Sequence, residues 1–390
     1  MTARAVLLTG ATGSLGGHVC AALLNHTAVT VHCLVRAHDN ESARARLEQR
    51  LRTVEDMPAG RQRVLVHACD LEEPGLGMDP DDLDVLAENI DTVIHCAAKV
   101  NLAADYDDLA AANLTATGGL IALAERSAAL TGRAPAFHHV STIGVLVAAQ
   151  RIGLAEVDES TQPSADTTGG FGYPASKAAA EQALRAAAGR GLPVAIYRPG
   201  LVMAHSRTGR TSTSDLLLPI VRAAISLGLA PEAPDVIPAD SVDVVARAVA
   251  LLAVRPDTPG RVFHLTRPDP LPLAGLFDSL RRAGHRLTPV PAGTWWDQVE
   301  GNAADAEVLP MVALREIGRY LVPPDPRYCP PRIGSTATWD ALRAAGMTPP
   351  PLDGAYFDRF AEATVPLRRD EELASSSGGR AVPVTGGATR

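Results

Sequence analysis

Tyr173 and Lys177 stand four residues apart in the segment Tyr-Pro-Ala-Ser-Lys, which begins a predicted helix. Residues four apart share one face of a helix, so the phenol and the ammonium are expected to lie side by side. An ammonium lowers the pKa of a neighbouring phenol, and such a tyrosine can serve as the acid for a carbonyl that receives hydride. Thr142, which follows a predicted strand, would donate a hydrogen bond to the same oxygen. Lys177 is one of two lysines in the chain, and this scarcity favours a specific role.

A glycine-rich segment near the amino terminus is typical of dinucleotide binding. Three glycines spaced by three stand between an apolar strand and a helix. Glycine permits a tight turn and close backbone approach, and the helix amino terminus behind it offers unpaired N–H groups to a pyrophosphate. The alternative is a strand-to-helix turn whose glycines serve packing alone. The residues predicted to contact the cofactor here are Thr9, Gly10, Thr12, Gly13, Ser14, Leu15 and Gly16.

The end of the second predicted strand carries Arg36, where an enzyme that prefers NAD usually has an acidic residue at the ribose hydroxyl. An arginine suits the 2′-phosphate of NADP instead, and Arg46 on the following helix would supply a second guanidinium. Chance placement is the alternative for both arginines in this arginine-rich chain. The third and fourth strands are followed by residues expected to flank the adenine or to let the backbone approach the cofactor, namely Asp70, Leu71, Ala97 and Ala98.

Apolar strands alternate with helical segments through the first two thirds of the chain. Strands that are apolar along their whole length are required by a parallel sheet covered on both faces. We therefore expect a doubly wound α/β fold, with an NADP-binding Rossmann domain over residues 1–267 and a substrate loop at about 201–238. Residues 268–365 are predicted to form a smaller, mainly helical substrate-binding subdomain, with one long helix near 304–320. Residues 366–390 lack apolar periodicity and are predicted to be disordered.

Composition narrows the classes of partner. The chain has 36 basic and 44 acidic residues and a net charge of −8, so no general positive field attracts nucleic acid or an anionic membrane. No apolar run reaches the roughly 18 residues that span a bilayer, and no signal peptide precedes the first strand. Five cysteines without a CxxC pair indicate neither a disulfide nor a metal site. We expect a soluble protein of the reducing cytoplasm.

Several motifs make the chain resemble the extended short-chain dehydrogenase/reductase superfamily. They are TGATGSLG at 9–16, HVST at 139–142, YPASK at 173–177 and YRPG at 197–200. Within this superfamily the chain is similar to the thioester reductase family, the terminal reductase domains of nonribosomal peptide and polyketide synthetases, which are related to carboxylic acid reductase. The narrower resemblance depends on CLVRA at 33–37, CDL at 69–71, HCAAKVN at 95–101, and HSRTG at 205–209 followed by Asp215. It covers about residues 4–365.

The resemblance implies that Thr142, Tyr173 and Lys177 are catalytic. It also implies that NADPH is bound by the glycine-rich segment and by further residues after the strands, namely Arg36, Arg46, Asp70, Tyr173, Lys177, Pro199, Gly200 and Val202. His205 and Arg207 would either line the substrate mouth or stabilise their own loop. Dehydratases of the superfamily place an acidic pair directly after the threonine, whereas Ile143 and Gly144 follow it here.

The function expected from these observations is NADPH-dependent reductive release of an acyl or peptidyl thioester from a carrier protein. The product would be an aldehyde, or an alcohol after a second hydride. One alternative is the same hydride chemistry on a free acyl-CoA or a small carbonyl or alcohol substrate. Another is a non-catalytic NADP-binding redox sensor, which would need no proton donor. The acyl group, the number of electrons transferred, the oligomeric state, and whether the chain stands alone or belongs to a larger synthetase stay open.

Overall fold

The structure is a computed structural model that describes residues 5–56, 60–213 and 215–365. The tail predicted to be disordered, residues 366–390, lies outside the described residues. The strands are β1 (Ala5–Thr9), β2 (Thr30–Arg36), β3 (Val64–Cys69), β4 (Thr92–His95), β5 (Ala136–Val140), β6 (Glu156–Val157), β7 (Val194–Pro199), β8 (Leu201–Met203), β9 (Leu229–Glu232), β10 (Ala239–Ser241), β11 (Val262–Leu265), β12 (Thr288–Pro291) and β13 (Arg332–Ile333). The helices are α1 (Ser14–His26), α2 (Asn40–Leu51), α3 (Pro80–Glu88), α4 (Tyr106–Thr131), α5 (Gly172–Gly189), α6 (Leu217–Leu227), α7 (Val242–Ala253), α8 (Leu273–Arg282), α9 (Ala292–Gly301), α10 (Leu309–Ala313), α11 (Arg315–Gly318), α12 (Thr336–Ala344) and α13 (Gly354–Thr364).

The central sheet has seven parallel strands among the described residues, in the order β11-β7-β5-β4-β1-β2-β3. Helices α1, α2 and α7 share an apolar core with one face of this sheet, and α3, α4 and α5 share another with the opposite face. The doubly wound α/β fold predicted from the sequence is therefore confirmed. The strand order reverses between β1 and β4, and ligands of such folds bind in the crevice outside the carboxyl ends of the strands at this point.

A third apolar core joins residues 203–239 to residues 271–361. The predicted substrate loop thus packs against the carboxyl-terminal helices. Strand β9 pairs in parallel with β12 and strengthens this connection. Strand β6 pairs with β13 and joins residues 156–157 to the carboxyl-terminal part of the chain. The chain then returns to the Rossmann core, where Trp339 and Leu342 of α12 are buried.

The prediction of one long helix near 304–320 is wrong. Two short helices stand there, α10 and α11, separated by Leu314 in a non-helical conformation. Proline lacks the backbone N–H that a continuous helix requires and is tolerated in a first turn. Pro310 accordingly lies in the first turn of α10, so the helix begins at Leu309.

Candidate active site

The turn between β1 and α1 has the shape that a pyrophosphate requires. Gly10 has a φ of +75°, and a Cβ atom built on it would stand 2.7 Å from the backbone nitrogen of Ala97. A Cβ atom on Gly16 would overlap the carbonyl oxygen of Gly10. No side chain caps the amino terminus of α1 at Gly13, so its first N–H groups remain available. These residues therefore fit the dinucleotide that the sequence predicts, because only glycine leaves this space open.

A cavity of about 450 Å³, which we name the nucleotide cavity, extends from this turn along the carboxyl ends of β2, β3 and β4. It brings together most residues predicted to hold the adenosine end. They are Gly10, Thr12, Gly13, Arg36, Arg46, Asp70, Leu71, Ala97 and Ala98. The Arg36 side chain is 68% exposed and lies 3.7 Å from Glu72, so its guanidinium is accessible from solvent. Arg46 donates a hydrogen bond to the carbonyl oxygen of Arg36 and thereby fixes the end of β2.

A second cavity of about 420 Å³, the catalytic cleft, continues from the nucleotide cavity across the glycine-rich turn. Gly10, Gly13 and Ala98 line both cavities. The predicted site residues that line the cleft are Gly10, Gly13, Ser14, Leu15, Gly16, Ala98, Thr142, Tyr173, Pro199, Gly200 and Val202. The residues predicted to bind nicotinamide and the residues predicted to protonate a carbonyl therefore face one continuous space.

Thr142 and Tyr173 reach this cleft from two different elements. Thr142 follows β5, and its hydroxyl oxygen accepts a hydrogen bond of 3.1 Å from the backbone nitrogen of Gly144. A hydroxyl that accepts in this way still has its own hydrogen to donate. Tyr173 stands in the first turn of α5, with Pro174 beside it as expected for a helix start. Both side chains therefore carry a hydroxyl hydrogen that can be donated to a ligand in the cleft.

The pKa values around Tyr173 differ from the expectation. Desolvation raises the pKa of the half-buried Tyr173 phenol to about 12. Lys177, one turn later and 1% exposed, has its pKa lowered by burial to about 8, with Glu181 and Cys96 acting in the opposite direction. The predicted lowering of the phenol pKa is wrong for the protein alone, because removal of the phenol from water raises this pKa. A protonated phenol at neutral pH remains suited to donating a proton.

Two predicted cofactor residues are fully buried and do not line the described cavities. The Thr9 hydroxyl lies 2.8 Å from His95 Nδ1 and accepts a hydrogen bond of 3.2 Å from the Ala97 backbone nitrogen. It therefore joins the end of β1 to the end of β4. Lys177 lies behind Tyr173, close enough to His95 and His139 to lower the pKa of both, although burial is the larger cause for each.

Comparison with known proteins identifies the family of this chain. A family model described as male sterility protein, an NAD-binding domain, matches residues 8–249. The chain belongs to this family. It is 35% identical over 303 residues to the isonitrile lipopeptide synthase of Streptomyces coeruleorubidus, covering 76% of this chain and 20% of that protein. It is 31% identical over 318 residues to the L-2-aminoadipate reductase large subunit of Penicillium chrysogenum, covering 77% of this chain and 22% of that protein. The chain thus spans about a fifth of these relatives.

Solved structures agree with this assignment. The terminal R domain from the myxalamid PKS-NRPS biosynthetic pathway has a TM-score of 0.83 and 29% identity, covering 94% of this chain and 91% of that chain. The reductase domain of a nonribosomal peptide synthetase from Mycobacterium tuberculosis has a TM-score of 0.73 and 28% identity, covering 93% and 91%. The resemblance to terminal reductase domains within the extended short-chain dehydrogenase/reductase superfamily is confirmed, as is the enzyme class, a nicotinamide-dependent reductase. No helix among the described residues combines the length and apolar character needed to cross a bilayer.

The reductase domain holds its cleft in place with two residues that the sequence did not indicate as functional. Asn113 of α4 accepts a hydrogen bond from Lys99 N (2.8 Å) and donates to Lys99 O (3.3 Å) and Ser176 Oγ (3.0 Å). Arg50 donates to the carbonyl oxygens of Gly13 and Ser14 at 3.1 and 3.0 Å. An amide on the buried face of the alanine-rich α4 was a usable signal for Asn113, whereas Arg50 looks like any other arginine of α2.

A buried ion pair lies beneath the residues predicted to be catalytic. Glu181, one turn after Lys177, receives two hydrogen bonds from Arg198 of β7 (2.9 and 2.7 Å) and one from Ser141 Oγ (2.7 Å). Both charged side chains have no exposed surface. Because Ser141 precedes Thr142, this network ties the end of β5 to the helix that carries Tyr173 and Lys177.

His205 and Arg207 contact Asp56 instead of lining the cleft. His205 Nε2 lies 3.2 Å from Asp56 Oδ2, and Arg207 pairs with the other oxygen of the same carboxylate. Ser206 of the same loop donates to both carboxylate oxygens of Asp243. Of the two alternatives left open by the sequence, these contacts favour stabilisation of the loop.

Proposed function

We propose that the chain catalyses NADPH-dependent reductive release of an acyl or peptidyl thioester from the phosphopantetheine arm of a carrier protein, giving an aldehyde. The observation that carries this proposal is the continuity of the nucleotide cavity with a cleft that holds Thr142 and Tyr173. The names of the relatives support the substrate class, since they include a lipopeptide synthase and a linear gramicidin synthase of Brevibacillus parabrevis. The proposal places the enzyme in the cytoplasm, a reducing compartment that suits five free cysteines.

The described residues divide the reaction between them. When bound along the two cavities, NADPH would supply a hydride to the thioester carbonyl carbon. Tyr173 gives its proton to the carbonyl oxygen, and Thr142 donates a hydrogen bond to that oxygen as negative charge develops. The resulting thiohemiacetal would break its carbon–sulfur bond while its hydroxyl proton passes to the departing sulfur, so that an aldehyde and a free thiol are formed. Tyr173 would regain a proton from solvent. Lys177, which is buried and lines neither cavity, would favour proton return to Tyr173, and a contact with the nicotinamide ribose would require its ammonium to become exposed to the cleft. A second hydride would carry the aldehyde on to an alcohol.

The two other hypotheses have less support. The same chemistry on a free acyl-CoA or a small carbonyl substrate would use the same cleft. It differs from carrier-dependent release only in the group to which the acyl chain is attached. A non-catalytic NADP sensor has no use for a threonine and a tyrosine that face the hydride-accepting position. Their common cleft therefore disfavours the sensor.

The thiol group that bears the acyl chain, referred to here as the carrier group, provides a test of carrier-dependent release. With one acyl group held fixed, we expect the highest kcat/KM for a carrier-protein thioester, a lower value for the CoA thioester and the lowest for an N-acetylcysteamine thioester. The reason is that binding energy from the phosphopantetheine arm and the carrier protein aligns the carbonyl with the hydride donor. A smaller carrier group therefore lowers turnover as well as affinity. Products identified by mass spectrometry would measure this series. Equal kcat/KM for all three thioesters, or a higher kcat/KM for the CoA thioester, would instead support the free-substrate hypothesis.

Cofactor preference gives a second test. Replacing Arg36 with aspartate should raise the KM for NADPH far more than the KM for NADH, because a carboxylate would face the 2′-phosphate. Arg44→Asp is the matched control, since Arg44 is an exposed residue of α2 that does not line the nucleotide cavity. Steady-state kinetics with both cofactors measure the effect. An equal change in the two KM values would remove Arg36 from phosphate recognition.

A further inference from the structure

Asp215 brings a buried carboxylate to the wall of the catalytic cleft. It lies two residues before α6 and lines the same space as Thr142 and Tyr173. Its exposure is only 5%. Among the described residues that line this cleft, Asp215 carries the only acidic or basic side chain.

The contacts of Asp215 leave its charge uncompensated. One carboxylate oxygen accepts a hydrogen bond of 2.9 Å from the backbone nitrogen of Leu217, and the other accepts one from the Thr211 hydroxyl. A carboxylate offers about four acceptor positions, so two hydrogen bonds leave acceptor capacity unused. Within the part of the chain that the structure describes, no cationic side chain acts on Asp215, and burial raises its pKa to about 6.

The other buried carboxylates in the described part of the chain each have a cation. Asp240 lies 3.1 Å from the Arg267 guanidinium, and Glu181 is paired with Arg198. Buried carboxylates are normally paired because an isolated buried charge is costly. Asp215 differs from both in facing a cavity that a substrate would enter. We therefore expect the substrate to supply the cation or hydrogen-bond donor that the Asp215 carboxylate lacks.

The remainder of the wall restricts what that substrate can be. Residues that lie after α10 in the sequence line the cleft with apolar side chains, namely Ile317, Leu321, Pro330 and Ile333. Val147 and Ile237 add further apolar surface. Such a wall accommodates an aliphatic or aromatic side chain, whereas Asp215 accepts a hydrogen bond from a polar N–H group.

We propose that Asp215 is a specificity-determining residue that binds a nitrogen-bound hydrogen next to the thioester carbonyl. The preferred acyl group is then an aminoacyl or peptidyl group with an apolar side chain, and a simple fatty acyl group is disfavoured. This inference rests on the proposed function, since it concerns the acyl end of the same thioester. A site built to hydrogen-bond a substrate group rejects an analogue that lacks the group, because the buried acceptor is then left unpaired.

Three pantetheine thioesters test the inference: leucyl, N-acetylleucyl and 4-methylpentanoyl, the last being leucine without its nitrogen. The wild-type enzyme should show a kcat/KM for at least one of the two nitrogen-bearing substrates that exceeds the value for 4-methylpentanoyl by roughly 10- to 100-fold, the value of a hydrogen bond to a charged group. In Asp215→Asn this preference should fall to within a few-fold. Asp240→Asn, a buried carboxyl outside the cleft, should keep the wild-type preference.

The outcomes separate this inference from the proposed function. Equal efficiency of the wild-type enzyme on N-acetylleucyl, leucyl and 4-methylpentanoyl thioesters would overturn the role of Asp215 while leaving thioester reduction intact, and it requires no variant to fold. Binding of the same three thioesters in the presence of NADP⁺, which supplies no hydride, gives the comparison without turnover. Preferential binding of the nitrogen-bearing thioesters without any reduction would support Asp215 and contradict the proposed function. An Asp215→Asn enzyme that folds and retains the full preference would also overturn the inference.

Discussion

Tyr173→Phe is expected to lower turnover by roughly 10²–10⁴-fold, the usual cost of losing a general acid. A phenol is protonated at neutral pH even at its ordinary pKa of about 10, and desolvation raises the pKa of Tyr173 further, to about 12. Tyr173 lines the same cleft as Thr142. The change removes one hydroxyl and leaves the ring, so NADPH affinity should be nearly unchanged. Single-turnover rates with a carrier-bound thioester and a fluorescence titration with NADPH measure the two quantities.

Tyr320 offers a matched control for this experiment. It lines the same cleft from the carboxyl-terminal part of the chain and is 2% exposed. Tyr320→Phe removes an equivalent hydroxyl, and we expect turnover within a few-fold of wild type. Turnover of Tyr173→Phe close to that of Tyr320→Phe would exclude Tyr173 as the proton donor. Tight NADPH binding by the unmodified chain without reduction of any thioester would favour the sensor hypothesis.

Arg198→Met is expected to lower the free energy of unfolding by about 3–5 kcal/mol, because it leaves the buried Glu181 without its main counter-charge. Arg198 and Glu181 have no exposed surface and share two hydrogen bonds. Urea unfolding followed by circular dichroism would measure the loss. Since Glu181 also accepts a hydrogen bond from Ser141, the variant should lower activity through the position of Thr142.

Arg185→Met provides the control with the same substitution and the same partner. Arg185 lies 3.6 Å from Glu181, but its side chain is 35% exposed. Partly exposed ion pairs contribute about 0–1 kcal/mol, so this variant should unfold at nearly the wild-type urea concentration. If both variants lost the same stability, the difference in burial would not determine the strength of these pairs.

The buried histidines show that local sequence context predicts burial but not the hydrogen-bond partner. An apolar strand context predicts that His138 and His139 are core residues, and both have no exposed surface. His138 Nδ1 lies 2.8 Å from the Tyr197 hydroxyl, a contact between neighbouring strands. The burial follows from the strand pattern, whereas the partner depends on which strand lies alongside.

The sequence by itself determined the doubly wound fold, the dinucleotide turn and the placement of Tyr173 and Lys177 on one helix. Each depends on local rules, because strand and helix periodicity, glycine conformation and a spacing of four residues act within a few positions of the chain. Only the tertiary structure decided that Asp215 and the apolar residues around Ile317 line the cleft, since they come from distant segments. It also decided that the pKa of Tyr173 rises to about 12. Desolvation depends on everything packed around a group, and no spacing along the chain records it.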